Sequence, residues 1–153
     1  MTFTVHTGEL GHADVQQLLE QHVSAMRAFS PANACHVLPA VSLDQPSITF
    51  FSLREAGVLA GVGALKALGG KEGEVKSMRA APAFRRCGVG KALLDAIAAE
   101  ARTRDFICLR LETGTGPEFE AANRLYDSYG FVAGEPFGGY PPSSFTRFLR
   151  LDL

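Results

Sequence analysis

Cysteine is scarce in this chain of 153 residues: only Cys35, Cys87 and Cys108 are present, and they lie far apart. The chain has no C-x-x-C pair, and no cysteine and histidine lie at the spacing of zinc ligands, so we expect no metal site. An odd and sparse count also argues against a disulfide scaffold and suits the reducing cytoplasm.

Long apolar runs and an excess of one charge are also missing. No run approaches the roughly 20 apolar residues of a membrane span, and residues 1–10 lack the basic start and apolar core of a signal peptide. The 15 Lys and Arg residues nearly balance the 16 Asp and Glu residues, giving a net charge of −1. This balance argues against a nucleic-acid binder with a broad basic surface. We therefore expect a cytoplasmic protein with no membrane or nucleic-acid partner.

The remaining composition is that of an ordinary globular protein, with 46% hydrophobic and 20% charged residues. The length fits one domain, residues 1–153. Apolar periodicity and turn residues predict strands at 2–6, 48–53, 58–65, 74–80, 107–111, 131–132 and 145–151, and helices at 14–30, 88–104 and 117–129. Residues 31–46 fit either a short helix or a loop. Strands and helices mixed in this order favour an α/β domain.

Local patterns also predict which side chains face the interior. Ile107 is expected to share one buried face with Leu109 and Leu111, because the three alternate along a strand. His22 lies on the apolar stripe of the first predicted helix, which indicates a packed core histidine. Gly73 is expected to belong to the turn between two strands.

The excess of glycine points to one strand–loop–helix segment. Gly88 and Gly90 let main-chain N–H groups approach a ligand, because no Cβ stands in the way. The start of the helix adds unpaired N–H donors and the positive end of the helix dipole. Arg85, Arg86 and Lys91 add positive charge, so we expect an anion site suited to a phosphate or pyrophosphate.

Two familiar phosphate motifs do not fit this segment. The dinucleotide pattern G-x-G-x-x-G requires glycine where the chain has Leu93. The pattern G-x-x-x-x-G-K-[ST] requires glycine and a hydroxyl residue where the chain has Arg85 and Ala92. A third pattern, [QR]-x-x-G-x-[GA], is satisfied by Arg85, Gly88 and Gly90.

In this third pattern the sequence resembles the GNAT superfamily of N-acetyltransferases, whose pyrophosphate loop for acetyl-CoA has that form. The later run 125–131, LYDSYGF, matches the family pattern L-Y-x-x-x-G-F, and the order of elements agrees over nearly the whole chain. The resemblance implies a mixed central sheet of about six to seven strands flanked by helices, the acyl-CoA N-acyltransferase fold.

The resemblance implies that acetyl-CoA is the cofactor and that its pantetheine arm bonds the main chain of Met78 and Ala80. The residues expected at its pyrophosphate are Arg85, Arg86, Cys87, Gly88, Val89, Gly90 and Lys91. Many members also bind the cofactor through an asparagine about seven residues before the tyrosine of the L-Y pattern, where this chain has Phe119. Asn123 is the nearby candidate to replace that contact.

The implied reaction is direct attack of a primary amine on the thioester in a ternary complex. A base leaves the amine neutral, and an acid can protonate the departing thiolate. In the family a tyrosine of the L-Y helix often supplies the acid, and Tyr126 matches it. The alternative is a packed aromatic, because Phe119, Ala122 and Tyr129 share helical spacing with Tyr126.

Glu74 is the first candidate for the base, since it lies on the cofactor strand where some relatives carry a catalytic glutamate. Period 2 puts Glu74 on one face with Lys76, Met78 and Ala80. A carboxylate partly withdrawn from water could have a raised pKa, although Lys76 would favour its ionised form or simply pair with it. Glu112 on the next strand is the alternative base, and bound water without a single base is a third.

The acceptor is expected to contact His36 and Tyr140, since the resemblance implies that first helices and late loops select the acceptor, and Glu112 is a further candidate contact. Those segments, 26–41 and 135–144, carry no dominant charge, which disfavours very basic acceptors. We therefore expect a small-molecule amine, with a protein N-terminus or lysine as the alternative and a homodimer as a possible assembly. A non-catalytic acyl-CoA binding or sensing module and a nucleotide-binding protein are the other functions open to this sequence.

Overall fold

The computed structural model describes residues 1–153, and all of its strands belong to one mixed sheet in the order β1-β2-β3-β4-β5-β7-β6. The strands are β1 (Phe3–Thr7), β2 (Ile48–Glu55), β3 (Val58–Gly69), β4 (Glu72–Ala80), β5 (Cys108–Gly114), β6 (Val132–Ala133) and β7 (Thr146–Asp152), and the helices are α1 (Ala13–Phe29), α2 (Val89–Thr103) and α3 (Glu120–Tyr129).

The sheet contains one parallel pair of strands, β4 with β5. Strands β1 to β4 form an antiparallel meander, β4 and β5 run parallel, and β7 is antiparallel to both β5 and β6. A parallel pair needs a crossover connection, and α2 supplies it. The predicted α/β fold, with a mixed sheet flanked by helices, is confirmed.

The helices bury apolar stripes on both faces of the sheet. Leu93, Leu94 and Ile97 of α2 are fully buried in one cluster, which we call the α2 cluster. Val15 and Leu19 of α1 lie in a second cluster on the opposite face. Each fully buried leucine contributes roughly 1.5–3 kcal/mol. No helix combines the length and the apolar character needed to cross a membrane.

Two glycines of β3 allow α2 to lie close to the sheet. A Cβ added at Gly63 would come within 2.8 Å of the sulfur of Met78, and one added at Gly61 would collide with Val89 at the start of α2. The position of α2, and therefore of the loop before it, depends on these two residues having no side chain.

Several local predictions are wrong in detail. Ile107 is 52% exposed and lies before β5, where its N–H donates to the carbonyl of Lys71, so it does not share the buried face of Leu109 and Leu111. Gly73 lies within β4, because the turn is made by residues 69–71, which all have positive φ.

The structure also resolves one segment that the sequence left open and shifts the start of one helix. The ambiguous segment 31–46 contains two short 3-10 helices, Ala32–Ala34 and Ala40–Leu43. Pro117 opens a 3-10 turn, Pro117–Phe119, and α3 follows from Glu120.

Candidate active site

The site begins where β4 and β5 part. Their parallel pairing joins only three residue pairs and ends at Glu74 with Arg110. Strand β4 continues to Ala80 and β5 continues to Gly114, so the two strands diverge over their second halves. A pocket lies in this gap, lined by both strands, by α1 and α3, and by residues 34–38.

A β-bulge at Ser77 divides the side chains of β4 between the two faces. Ser77 has a φ of 56°, and the register against β3 shifts between Val62 and Ala64. Met78 and Ala80 pack against the α2 cluster, whereas Lys76 precedes the bulge on the opposite face. The period-2 prediction of one shared face for residues 74, 76, 78 and 80 is therefore wrong, because the bulge inserts one residue.

The loop after β4 presents free main-chain donors. Gly88 caps α2 with a φ of 82°, and the first helical bond runs from the N–H of Ala92 to the carbonyl of Gly88 at 3.1 Å. The four N–H groups of residues 88–91 therefore have no helical partner, which suits an anion. The N–H of Cys87 instead donates to the carbonyl of Phe84 at 3.2 Å, so it is not one of the free donors.

Two predicted cofactor residues also have structural tasks. A Cβ at Gly90 would collide with the side chain of Leu125, so this glycine allows α3 to pack against α2. The ammonium of Lys91 lies 3.0 Å from the carboxylate of Asp95 in an exposed pair. Arg85 and Arg86 are exposed beside the loop, and they are the more available cations.

Tyr126 lies on α3 and lines the pocket. Its ring packs edge-on against Phe131, with centroids 5.8 Å apart. Burial raises the pKa of Tyr126 to about 12, with Arg79 opposing that shift and Glu112 adding to it. The phenol therefore remains protonated at neutral pH, as a proton donor requires.

Glu74 is bound within a buried polar cluster. The side chain is 2% exposed, and its Oε2 accepts hydrogen bonds from Lys76 Nζ at 3.0 Å and from the Tyr140 hydroxyl at 2.8 Å. Lys76 Nζ also donates to Tyr140 at 2.6 Å. Burial and Glu74 together raise the pKa of Tyr140. We call Glu74, Lys76 and Tyr140 the Glu74 triad. Its ion pair between Glu74 and Lys76 is the pairing that the sequence analysis left open as an alternative.

Glu112 faces the same pocket from β5. Burial raises its pKa to about 7, with Lys76 lowering it and Glu74 raising it further. A carboxyl group with a pKa near the working pH is suited to accept a proton and to release it again.

The comparisons with known proteins agree with this geometry. A sequence profile of the acetyltransferase (GNAT) family matches residues 16–131. The chain is 44% identical over 151 residues to YedL, an uncharacterized N-acetyltransferase of Escherichia coli K12, with 99% of this chain and 95% of that one covered. It is 42% identical over 145 residues to YsnE, an uncharacterized N-acetyltransferase of Bacillus subtilis 168, with 95% and 96% covered.

A solved structure extends the likeness to three dimensions. PaiA N-acetyltransferase from Thermoplasma acidophilum, in complex with coenzyme A, matches with a TM-score of 0.73 at 13% identity, and the match covers 100% of both chains. The chain belongs to the GNAT family of acetyltransferases. The predicted family and enzyme class are therefore confirmed.

Asn123 of this GNAT enzyme makes structural contacts. Its amide nitrogen donates to the carbonyl of Gly114 at 2.9 Å, and its Oδ1 accepts from Arg147 at 3.1 Å. The side chain thus ties α3 to β5 and β7. The predicted contact of Asn123 with the cofactor stays a prediction.

Two histidines, His22 and His36, line the GNAT pocket, and His36 is the one that we expected to contact the acceptor. His22 is buried, but its Nδ1 accepts a hydrogen bond of 2.9 Å from Arg79 Nε, so it is more than a packed core residue. His36 lies against Tyr140, with ring centroids 4.9 Å apart, and its buried Nε2 has no hydrogen-bond partner. Sequence reasoning missed Arg79 altogether, because nothing local links it to a residue 57 positions away.

Proposed function

We propose that this enzyme transfers an acetyl group from acetyl-CoA to the primary amine of a small molecule by direct attack in a ternary complex. The observation that carries the proposal is the gap between β4 and β5, where Glu112 and Tyr126 line one pocket beside an anion-binding loop. The coenzyme A bound to the PaiA enzyme supports an acyl-CoA donor.

The residues present fit acetyl-CoA. Once β5 has diverged, the main chain of β4 at Met78 and Ala80 faces no partner strand on that side, so it can bond the pantetheine amides. The free N–H groups at 88–91, with Arg85 and Arg86 nearby, suit the pyrophosphate. When bound, acetyl-CoA supplies an activated acyl group as a thioester.

We assign the base to Glu112 and not to Glu74. Glu74 already accepts two hydrogen bonds, one of them from the ammonium of Lys76, so its Oε2 is engaged within the protein. Glu112 has a pKa near 7 and lines the pocket, so it can take a proton from an acceptor ammonium and leave the nitrogen lone pair free. Glu74 then has a structural role, because it holds the hydroxyl of Tyr140 in place.

We assign the acid to Tyr126, whose hydroxyl donates a proton to the departing sulfur. Replacing Tyr126 with phenylalanine is expected to lower kcat by about 100-fold, the low end for acid catalysis, because a thiol with an ordinary pKa leaves tolerably well as the thiolate. Steady-state kinetics at saturating substrates measures this. Tyr129→Phe is the matched control, since that hydroxyl bonds the exposed Asp95. An unchanged rate in Tyr126→Phe would remove the acid role.

Gly88 tests the anion-binding loop. Gly88→Val is expected to cost about 1–2 kcal/mol because an L-residue is strained at positive φ, and to weaken acetyl-CoA binding by distorting the loop. The added Cβ would meet nothing within 4 Å, so strain and not collision is the cause. Gly88→Asn is the control, since asparagine tolerates this region better. Calorimetric titration with acetyl-CoA and thermal melting measure both effects; equal behaviour of the two variants would contradict the argument.

The pocket favours a small acceptor. Residues 34–38 line one side of it, and Tyr140 of the loop 135–144 bonds Glu74 and Lys76, which line another side. This enclosure is better suited to a small amine than to a folded protein substrate. All three cysteines are free, which fits the cytoplasmic location that we propose.

Two measurements test the function. A thermal-shift screen is expected to show stabilisation by acetyl-CoA but not by ATP or NAD. Turnover of acetyl-CoA with small amines, and with peptides carrying a free N-terminus or lysine, then identifies the acceptor class. Binding without any turnover would favour a non-catalytic acyl-CoA module.

A further inference from the structure

Arg79 is a cation without a carboxylate partner inside the protein. Its side chain is partly buried and its Nε donates to a neutral acceptor, the Nδ1 of His22. The other withdrawn cations are paired: Arg54 lies against Glu9 and Asp14, and Lys76 lies against Glu74. An ion withdrawn from water needs a counter-charge. The terminal N–H groups of Arg79 are arranged as a fork that matches a carboxylate.

His22 extends this donor set into the pocket. Arginine can only donate, so His22 Nδ1 must accept, and the ring proton of the neutral imidazole must be on Nε2. Burial and Arg79 lower the pKa of His22 to about 3, so the ring is neutral at physiological pH. His22 lines the pocket, and its Nε2–H is the donor that Arg79 leaves available.

We propose that Arg79 and His22 bind a carboxylate of the acceptor, so that the acceptor is a small molecule bearing both a primary amine and a carboxylate, such as an amino acid. This inference rests on the acetyltransferase function proposed above. His22, Glu112 and Tyr126 line one pocket, and Arg79 is bonded to His22. The carboxylate end of the acceptor would then lie toward His22 and Arg79 and the amine end toward Glu112, with Tyr126 near the reacting thioester.

The cofactor is the rival source of the anion, because Arg85 of the phosphate loop is close enough to influence Arg79. The bulge at Ser77 argues against it. Met78 and Ala80 pack against the α2 cluster, whereas Arg79 meets α1 through His22 on the opposite face. The anion-binding loop leads into α2, so it lies on the other side of the sheet from the contact between Arg79 and His22.

The test compares matched acceptors that differ only in the carboxylate: phenylalanine with phenethylamine, and leucine with isopentylamine. The wild-type enzyme is expected to show kcat/KM values about 10- to 100-fold higher for the amino acids, the range expected for charge-assisted hydrogen bonds. Arg79→Met is expected to abolish that preference by lowering the amino-acid values alone. Arg79→Lys should retain part of it, and His22→Phe should lose part of it.

Three outcomes would overturn the inference. The first is that the wild-type enzyme uses the amines as well as the amino acids. The second is that Arg79→Met lowers kcat/KM equally for both substrate classes, which would make Arg79 a residue acting through Tyr126. The third is that Arg79→Met weakens acetyl-CoA binding, which would assign the guanidinium to the cofactor. Arg79→Gln serves if the methionine variant does not fold.

A binding measurement separates this inference from the proposed function. Thermal shifts with 3-phenylpropionate and with phenethylamine report carboxylate binding without turnover. Stabilisation by the acid in wild-type protein but not in Arg79→Met supports the carboxylate site even if no amine is acetylated. Equal shifts in the two proteins overturn it even if the enzyme proves to be an acetyltransferase.

Discussion

Replacing Glu112 with glutamine is expected to lower kcat by about 10²- to 10⁴-fold, the range typical of a lost general base. Glutamine keeps the shape of the side chain but cannot take a proton from the acceptor ammonium. Steady-state rates at pH 8 with saturating substrates measure the loss. Glu135→Gln, in the exposed part of the nearby loop, is the control and should leave kcat unchanged.

The same residue predicts the pH profile of the wild-type enzyme. The base must be ionised, so kcat is expected to rise with pH around a midpoint near 7, the pKa to which burial raises Glu112. Glu112→Gln should lack that rise. A wild-type-like rate and profile in the variant would return the base role to Glu74 or to bound water.

Stability distinguishes loss of the base from loss of the fold. The pKa of Glu112 is raised from 4.5 in its ordinary state to about 7 in the folded protein. The folded state therefore holds this proton more tightly, and the Glu112 contribution to the free energy of unfolding falls as pH rises from about 4.5 to about 7. Because glutamine is never ionised, the Tm of Glu112→Gln at pH 8 is expected to equal or exceed that of wild type.

Replacing Lys76 with methionine is expected to lower the free energy of unfolding by about 3–5 kcal/mol, because it leaves the carboxylate of Glu74 buried without its cation. For a chain of this size the Tm should fall by roughly 6–20 °C. Thermal melting followed by circular dichroism measures the shift. Methionine has nearly the length of lysine, so lost packing contributes little.

The double variant Glu74→Gln/Lys76→Met is the control for that loss. It removes both charges together, so most of the stability should return. Tyr140 can still donate to the glutamine oxygen, as it donates to Glu74 in the triad. If Lys76→Met melts at the wild-type temperature, Glu74 does not depend on Lys76 as its counter-charge.

The elements that the sequence predicted well are those defined by neighbouring residues. The apolar stripe of α2 and the loop pattern from Arg85 to Gly90 are both defined by neighbouring residues. The structure has the helix, and the loop before it, where these patterns predict them. The pairing of Glu74 with Lys76 is also local, since the residues lie two apart on one strand. Patterns of this kind need no knowledge of how distant segments meet.

The features that the sequence missed depend on distant contacts or on one unusual residue. Tyr140 joins the triad from 66 positions beyond Glu74, and Arg79 meets His22 across 57 positions. The bulge at Ser77 reverses the facing of later side chains, yet serine has no strong preference for positive φ. The choice of Glu112 over Glu74 as the proposed base follows from the bonds of Lys76 and Tyr140 to Glu74, and the bond from the distant Tyr140 is not visible in the strand pattern.

The divergence of β4 and β5 would link the stability of this enzyme to the acyl donor that we propose. On the side that faces β5, main-chain groups of β4 beyond Glu74 have no partner strand, so a ligand lying along them would add hydrogen bonds to the folded state. Acetyl-CoA at about 100 times its Kd would add about 2.7 kcal/mol to the free energy of unfolding. Amide hydrogen exchange in residues 75–80 should slow accordingly. In a cell, the lifetime of the folded enzyme would then rise and fall with the supply of acetyl-CoA, without any separate regulatory site.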